Sequence, residues 1–173
     1  MVRPSPQQLL RLESLRDDVI HEMRNIGIFS ETELDVGATV SLGLLRKNST
    51  QRHGVTRWNR QDGAIVLQTV DLHPALLEDD WESYASFVLY HELLHAIGNR
   101  SHDKSFRQLE LLWPDFDAAN RGVEFTAQMR LKRAKWLWMC PKCNKEYPRQ
   151  QSSKGKYQCR TCGCRLLDVP YRT

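Results

Sequence analysis

The stretch Tyr90–Gly98 reads Y-H-E-L-L-H-A-I-G and places His91, Glu92 and His95 in an H-E-x-x-H pattern. On an α-helix, residues i and i+4 share a face, so His91 and His95 can aim their imidazoles at a single metal ion. Glu92, beside the first of them, can reach a water on that metal and serve as general base, the arrangement of a metallopeptidase. The flanks predict a helix. Asp79 and Glu82 form a D-x-x-E start, Phe87, Val88, Leu94 and Ile97 are apolar, and Gly98 is a natural stop. The competing reading is a core or surface helix with two incidental histidines. Against it, two imidazoles and a carboxylate are costly in an otherwise apolar helix unless paired or ligated. In addition, His102 follows the Gly98 break. Catalytic zinc takes three protein ligands and keeps one position open, so His91, His95 and His102 form the expected ligand set, with Glu110 in reserve.

Upstream, Ser5-Pro6-Gln7-Gln8 is a helix start with Ser5 as N-cap, and Leu9, Leu10, Leu12, Leu15, Val19, Met23 and Ile26 form an apolar face ended by Gly27. A helix over 5–26 follows from this. Three strands are then expected, Ala38–Leu45, His53–Trp58 and Ala64–Val70, with a hairpin turn at Gln61-Asp62-Gly63. They form a small antiparallel sheet before the H-E-x-x-H helix. His53 and His73 lie in this region without fixed spacing to that helix and are read as non-ligands. Downstream, Lys104–Trp113 reads as a helix closed by Pro114, and Phe116–Ala134 as another that turns basic at Arg130, Lys132 and Arg133.

Cys140-Pro141-Lys142-Cys143 and Cys159-Arg160-Thr161-Cys162 are two C-x-x-C knuckles separated by 15 residues. That spacing is a four-cysteine zinc site with a hairpin between the knuckles. A unit this small needs the metal to fold. Four sulfurs leave no place for water, so this zinc is structural. Cys164 is a spare fifth cysteine.

The chain of 173 residues allows one domain and a small appendage, with a boundary near residue 135: residues 1–135, with a core over 36–135, and a basic ribbon over 136–173. With 27% charged and 40% apolar residues it is an ordinary globular composition, and no stretch reaches the length of a membrane span. The first residues lack an apolar signal region, so a cytoplasmic protein is expected, free or associated with nucleoid or chromatin. Nothing resembles a coiled-coil seam, and a monomer is expected. The net charge of +4 hides an asymmetry, because Arg130–Thr173 carries twelve Lys/Arg against two acids. A basic segment on an acidic body points to a polyanion, DNA first. Arg130, Arg133, Lys142, Lys145, Arg149, Lys154, Lys156 and Arg160 are the candidate contacts. They interleave with Tyr147 and Tyr157, which could stack on unpaired bases, while Trp136 and Trp138 are read as packing the ribbon and its joint.

This combination resembles the SprT-like metallopeptidases, a family that includes a protease of DNA–protein crosslink repair. The residues that carry the likeness are H-E-L-L-H-A, the third histidine in H-D-K-S-F, the sheet just upstream and the C-terminal four-cysteine ribbon. It covers roughly Val36–Asp168 and leaves the first helix outside. The resemblance implies an α+β fold, a zincin-like peptidase domain followed by a zinc ribbon. It also implies zinc on His91, His95 and His102, with Glu92 as the base. The family usually has His-Gly where this chain has His102-Asp103, so Asp103 would either orient His102 or alter its loop. The expected activity is a zinc-dependent endopeptidase on proteins bound or crosslinked to DNA. It would hold its substrate along the sheet edge, with Ala64–Val70 as the candidate strand and Arg100 and Tyr90 as candidate oxyanion donors. Two other classes remain open: a DNA-binding zinc-ribbon protein with little turnover, and a general peptidase indifferent to DNA.

Overall fold

Ser5 opens the first helix through a reciprocal capping box with Gln8, and Pro6 takes its first turn. Helix α1 (Pro6–Ile26) then buries Leu12, Leu15, Val19, Ile20 and Met23 and ends at Gly27. Leu9 and Leu10, assigned to the buried face from spacing, are exposed, and Ile20 takes their place in the core. The computed structural model describes residues 2–171 and resolves two compact units, Met1–Gly122 and Val123–Thr173.

The first unit departs from its expected strand order at the start. Ala38 and Thr39, expected in a strand, end a second helix, α2 (Glu31–Thr39), and only Ser41–Leu44 is strand (β1). A second capping box decides this: Ser30 accepts from the Glu33 backbone N–H, and the Glu33 carboxylate accepts from the Ser30 N–H. Strands β2 (Gly54–Gln61) and β3 (Ala64–Leu72) pair antiparallel through the Asp62-Gly63 turn, where both residues have positive φ. β1 pairs with β3 in parallel, so the sheet is mixed rather than antiparallel, in the order β1-β3-β2. β3 is therefore the central strand, and Thr69 and Val70 of the expected substrate-holding stretch are paired on both sides, while β1 does not reach Ala64–Gln68. β2 is an outer strand.

Helix α3 (Glu82–Ala96) carries the H-E-x-x-H residues. It contacts α1, α2, β2 and β3, and it buries Tyr84, Ala85, Val88, Leu89, Tyr90, Leu93, Leu94 and Ala96. Burial on several sides explains why the segment is apolar nearly all round. Its start differs from the D-x-x-E expectation. Asp79–Trp81 forms a 3-10 turn, Trp81 occupies the N-cap without a side-chain bond, and Asp79 instead pairs with Arg11 of α1. Past its end, Gly98 adopts φ +114°, which favours glycine, and the chain reverses there.

Helix α4 (Lys104–Glu110) is shorter than expected and places Phe106 in the core. Asp103 is its N-cap and accepts from the Phe106 N–H at 3.0 Å, so the His-Asp departure serves a helix start. The long helix expected over 116–134 is broken. Asp115 accepts from the N–H groups of Asp117 and Ala118 and takes a hydrogen bond from Ser83, a 3-10 turn follows at Ala118–Asn120, and α5 begins only at Arg121 (Arg121–Lys132).

In the second unit, β4 (Trp136–Met139) lies between β5 (Glu146–Arg149) and β6 (Leu167–Pro170), antiparallel to both. Each cysteine knuckle closes in the same way: the Asn144 N–H donates to Cys140 O at 3.0 Å and the Gly163 N–H to Cys159 O at 2.9 Å. No helix among the described residues is long and apolar enough to cross a membrane.

Gly54 is where β2 meets α3 most closely. A Cβ added there would lie 2.6 Å from Glu92 Cγ and 2.9 Å from Val88 Cγ1. Gly54→Ala is expected to lower stability by about 1–3 kcal/mol, read as a drop in the urea midpoint at unchanged slope.

Candidate metal centres

His91 and His95 stand one turn apart on α3, and the reversal at Gly98 returns His102 to face them. His102 Nε2 lies 3.0 Å from His95 Nε2 and 3.1 Å from His91 Nε2. Phe106 underlies all three rings, with centroids 4.6–4.9 Å away. The outward nitrogens are also engaged. His91 Nδ1 lies 2.7 Å from Glu110 Oε1, and His95 Nδ1 lies 2.6 Å from the Asn99 carbonyl oxygen. A carbonyl and a carboxylate only accept, so both Nδ1 atoms carry the hydrogen and both Nε2 lone pairs face inward. His102 Nε2 can donate to one of these lone pairs in its Nε2–H tautomer, or add a third lone pair when that nitrogen is bare. Four-coordinate metal–nitrogen bonds of about 2.0–2.1 Å place ligand nitrogens roughly 3.4 Å apart, so the set could hold a metal ion. Burial lowers the pKa of His91 and His95, which keeps them neutral and available as ligands.

Glu110, the reserve ligand, is instead the partner that orients His91. Its second oxygen accepts from Arg107 Nη1 at 2.6 Å. Glu92 is 6% exposed and points to β2, where the Thr56 hydroxyl lies 2.7 Å from Glu92 Oε2 and 2.8 Å from the Glu92 carbonyl oxygen. Burial pushes the Glu92 carboxyl up to about 7, the Thr56 hydrogen bonds oppose this, and the charge of Asp71 adds to it. Asp71 itself is fully buried and bridged by Arg57 at 2.5 Å.

His53 and His73 stay outside the cluster. His53 Nδ1 meets the Tyr84 hydroxyl at 2.5 Å, and His73 caps a 3-10 turn by accepting from the Ala75 N–H. Tyr90, a candidate oxyanion donor, is fully buried and donates to the Leu109 carbonyl oxygen at 2.6 Å, which removes it from that role. Arg100 is exposed at the rim of the cleft that borders His95 and His102. Thr56, Asn99 and Trp58 had no motif to announce them. Thr56 and Trp58 lie on a strand more than thirty residues away, joined to the site only by folding.

The four ribbon cysteines converge as well. Cys140 and Cys162 sulfurs are 3.3 Å apart, Cys143 and Cys159 3.5 Å, and Cys143 and Cys162 3.9 Å. Tetrahedral coordination with metal–sulfur bonds of about 2.3 Å spaces sulfurs about 3.8 Å apart, so this cluster is compatible with a zinc ribbon. The Tyr147 hydroxyl and the Thr161 N–H both point at Cys159 and hold its thiol down to about 5, favouring the thiolate. Cys164 lies outside the four and uses its carbonyl oxygen to accept from the Cys159 N–H.

Two of the candidate DNA contacts share a cleft on the ribbon. Arg149 and Arg160 line it with Trp138, Tyr147 and Tyr157. Trp138 stacks on Tyr157 at 4.6 Å between centroids, and the Arg149 guanidinium lies 5.0 Å from the Trp138 ring. Trp138, read from sequence as packing, is half-buried against the cysteine cluster and also lines this cleft. Lys145 donates to Thr161 at 2.8 Å, and Arg130, Lys142, Lys154 and Lys156 are exposed outside that cleft. Arg133 lies beside Gln150.

Elemental analysis should return two metal ions per chain, falling to one in His91→Ala. Glu110→Ala should weaken the histidine site about 10–100-fold in chelator competition and leave the cysteine site unchanged. No family model, characterised protein or solved structure matches this chain, so the chemistry of both clusters is carried by their own geometry.

Proposed function

We propose that the chain is a zinc-dependent endopeptidase of the SprT-like kind that acts on proteins bound or crosslinked to DNA. The observation that carries this is the convergence of three Nε2 atoms beside a buried, hydrogen-bonded Glu92 at the foot of an open cleft. His91, His95 and His102 would hold the ion, three ligands being the number that leaves a position free. Zinc bound there supplies Lewis acidity, polarising a carbonyl and acidifying water.

The remaining steps belong to side chains and backbone. The outer strand β2 offers unpaired N–H and C=O groups to an extended peptide, which would add to the sheet as a further strand. Glu92 takes a proton from the attacking water as oxygen bonds to the carbonyl carbon. It returns that proton to the amine nitrogen as the C–N bond breaks. A carboxyl near 7 suits both directions of transfer at neutral pH. Thr56 holds the carboxylate in place, and Glu110 and Asn99 fix the rings of His91 and His95. The four-cysteine site has no free position and serves folding of the ribbon, whose stacked aromatics and arginines suit an unpaired nucleic-acid strand.

The test is proteolysis of a DNA-binding protein by the zinc-loaded chain, with and without single-stranded DNA. Cleavage should require both DNA and Glu92, with Glu92→Gln slower by at least about 100-fold. Cleavage that ignores DNA would leave a general peptidase. No cleavage by protein carrying two zinc ions would leave a DNA-binding module, whose affinity should fall steeply between low and moderate salt.

A further inference from the structure

We propose that the cleft beside the histidine cluster carries a subsite for a substrate carboxylate, built from Arg100 and Trp58. This rests on the peptidase reading above and adds to it the chemical class of peptide that the site prefers. The cleft has a volume of about 320 Å³ and is lined by Thr56 and Trp58 of β2, Glu92 and His95 of α3, and Arg100 and His102 from the segment that follows α3.

Arg100 has a charge without a counter-charge. Its guanidinium carbon lies 4.5 Å from the centroid of the Trp58 ring, and among the described residues no carboxylate pairs with it. The acid that lines the cleft, Glu92, is buried and turned toward Thr56, so it does not neutralise Arg100. Stacking on an indole fixes the plane of a guanidinium while leaving its N–H edge free. An edge held in this way is preorganised for the two oxygens of a carboxylate, and less side-chain freedom is lost when the ligand arrives.

Position gives the subsite its meaning. Trp58 belongs to the outer strand along which an extended peptide would pair, so Arg100 reaches over that peptide close to the histidine cluster. The carboxylate could belong to an aspartate or glutamate near the scissile bond, or to the end of the peptide chain. An arginine that served the reacting carbonyl would favour all peptides alike. One that serves a substrate carboxylate favours only peptides that carry it.

Binding to the zinc-loaded Glu92→Gln chain tests this without turnover. Acetylated, amidated hexapeptides with glutamate or glutamine at each central position would be compared by calorimetry, together with glutamine peptides bearing a free C-terminus. One glutamate position, or the free terminus, should bind about tenfold tighter or more than its neutral twin. The position that responds identifies the source of the carboxylate. Adding Arg100→Gln should erase the advantage and leave the neutral peptide unchanged. Arg100→Lys should keep part of it, and Arg100→Glu should transfer the preference to lysine peptides. Equal binding of charged and neutral peptides would overturn the proposal. So would an Arg100→Gln chain that binds both more weakly by the same factor, or one that loses affinity for a single-stranded oligonucleotide but not for the acidic peptide. Charge-selective binding with no cleavage by the wild-type chain would overturn the peptidase reading and leave the subsite standing.

Discussion

The first unit is arranged around one constraint: α3 must be buried to hold the domain together and must also keep His91 and His95 at a surface. Leu89, Leu93 and Leu94 are fully buried, and His91 and His95, on the same two turns, are not. Sheet and helices therefore cover most of α3 and leave one face open. Over that face the chain supplies Phe106 as an apolar floor and His102 from the loop past Gly98. The inward lone pairs of the imidazoles concentrate negative potential at one point. A cation bound there would turn that potential into a source of local order.

β2 ties this face to the sheet. Gly54 passes so close to Glu92 that an added Cβ would force one of them to shift, and two residues on, Thr56 bonds both the side chain and the backbone of Glu92. The same strand brings Trp58 to the cleft, past a register shift between Arg57 and Trp58. One strand thus sets the room available to Glu92, anchors its carboxylate and shapes the cleft above it. The outer position of β2 in the sheet is what leaves its other edge for a further strand.

Local signals in the sequence were strong where a motif maps onto one element. The Ser5–Gln8 capping box, the Asp62-Gly63 turn and the spacing of His91 and His95 each act within a few residues, and each appears in the structure as spaced. Legibility failed where tertiary contacts chose between options. Ala38 and Thr39 read as β-forming, but the Ser30–Glu33 box and the fit of Gly37 against Ile20 and Leu93 make the segment helical. The D-x-x-E before α3 looked like a cap, yet Asp79 is claimed by Arg11, distant in sequence. Strand order was invisible for the same reason: pairing β1 in parallel with β3 depends on packing and leaves no mark on spacing. Thr56 and the Glu110–His91 pair follow the same rule, because their partners lie many residues away and are selected by the fold rather than by neighbours in sequence.

The two clusters show how ligand number and surroundings divide their tasks. Around the cysteines, Cys140, Cys159 and Leu166 form a small buried core, with Trp138 and Tyr147 packed against it. Four sulfurs would saturate a tetrahedral ion, whose attraction would then go wholly into holding two knuckles and three short strands together. Around the histidines the core is already formed by α1, α3 and the sheet, and His102 is exposed. An ion there is not needed to close a core. An ion held by three imidazoles beside an open cleft would keep a position facing whatever enters that cleft. One cluster would close around an ion and the other would leave it open, and both follow from how many donors each fold brings within reach of one point.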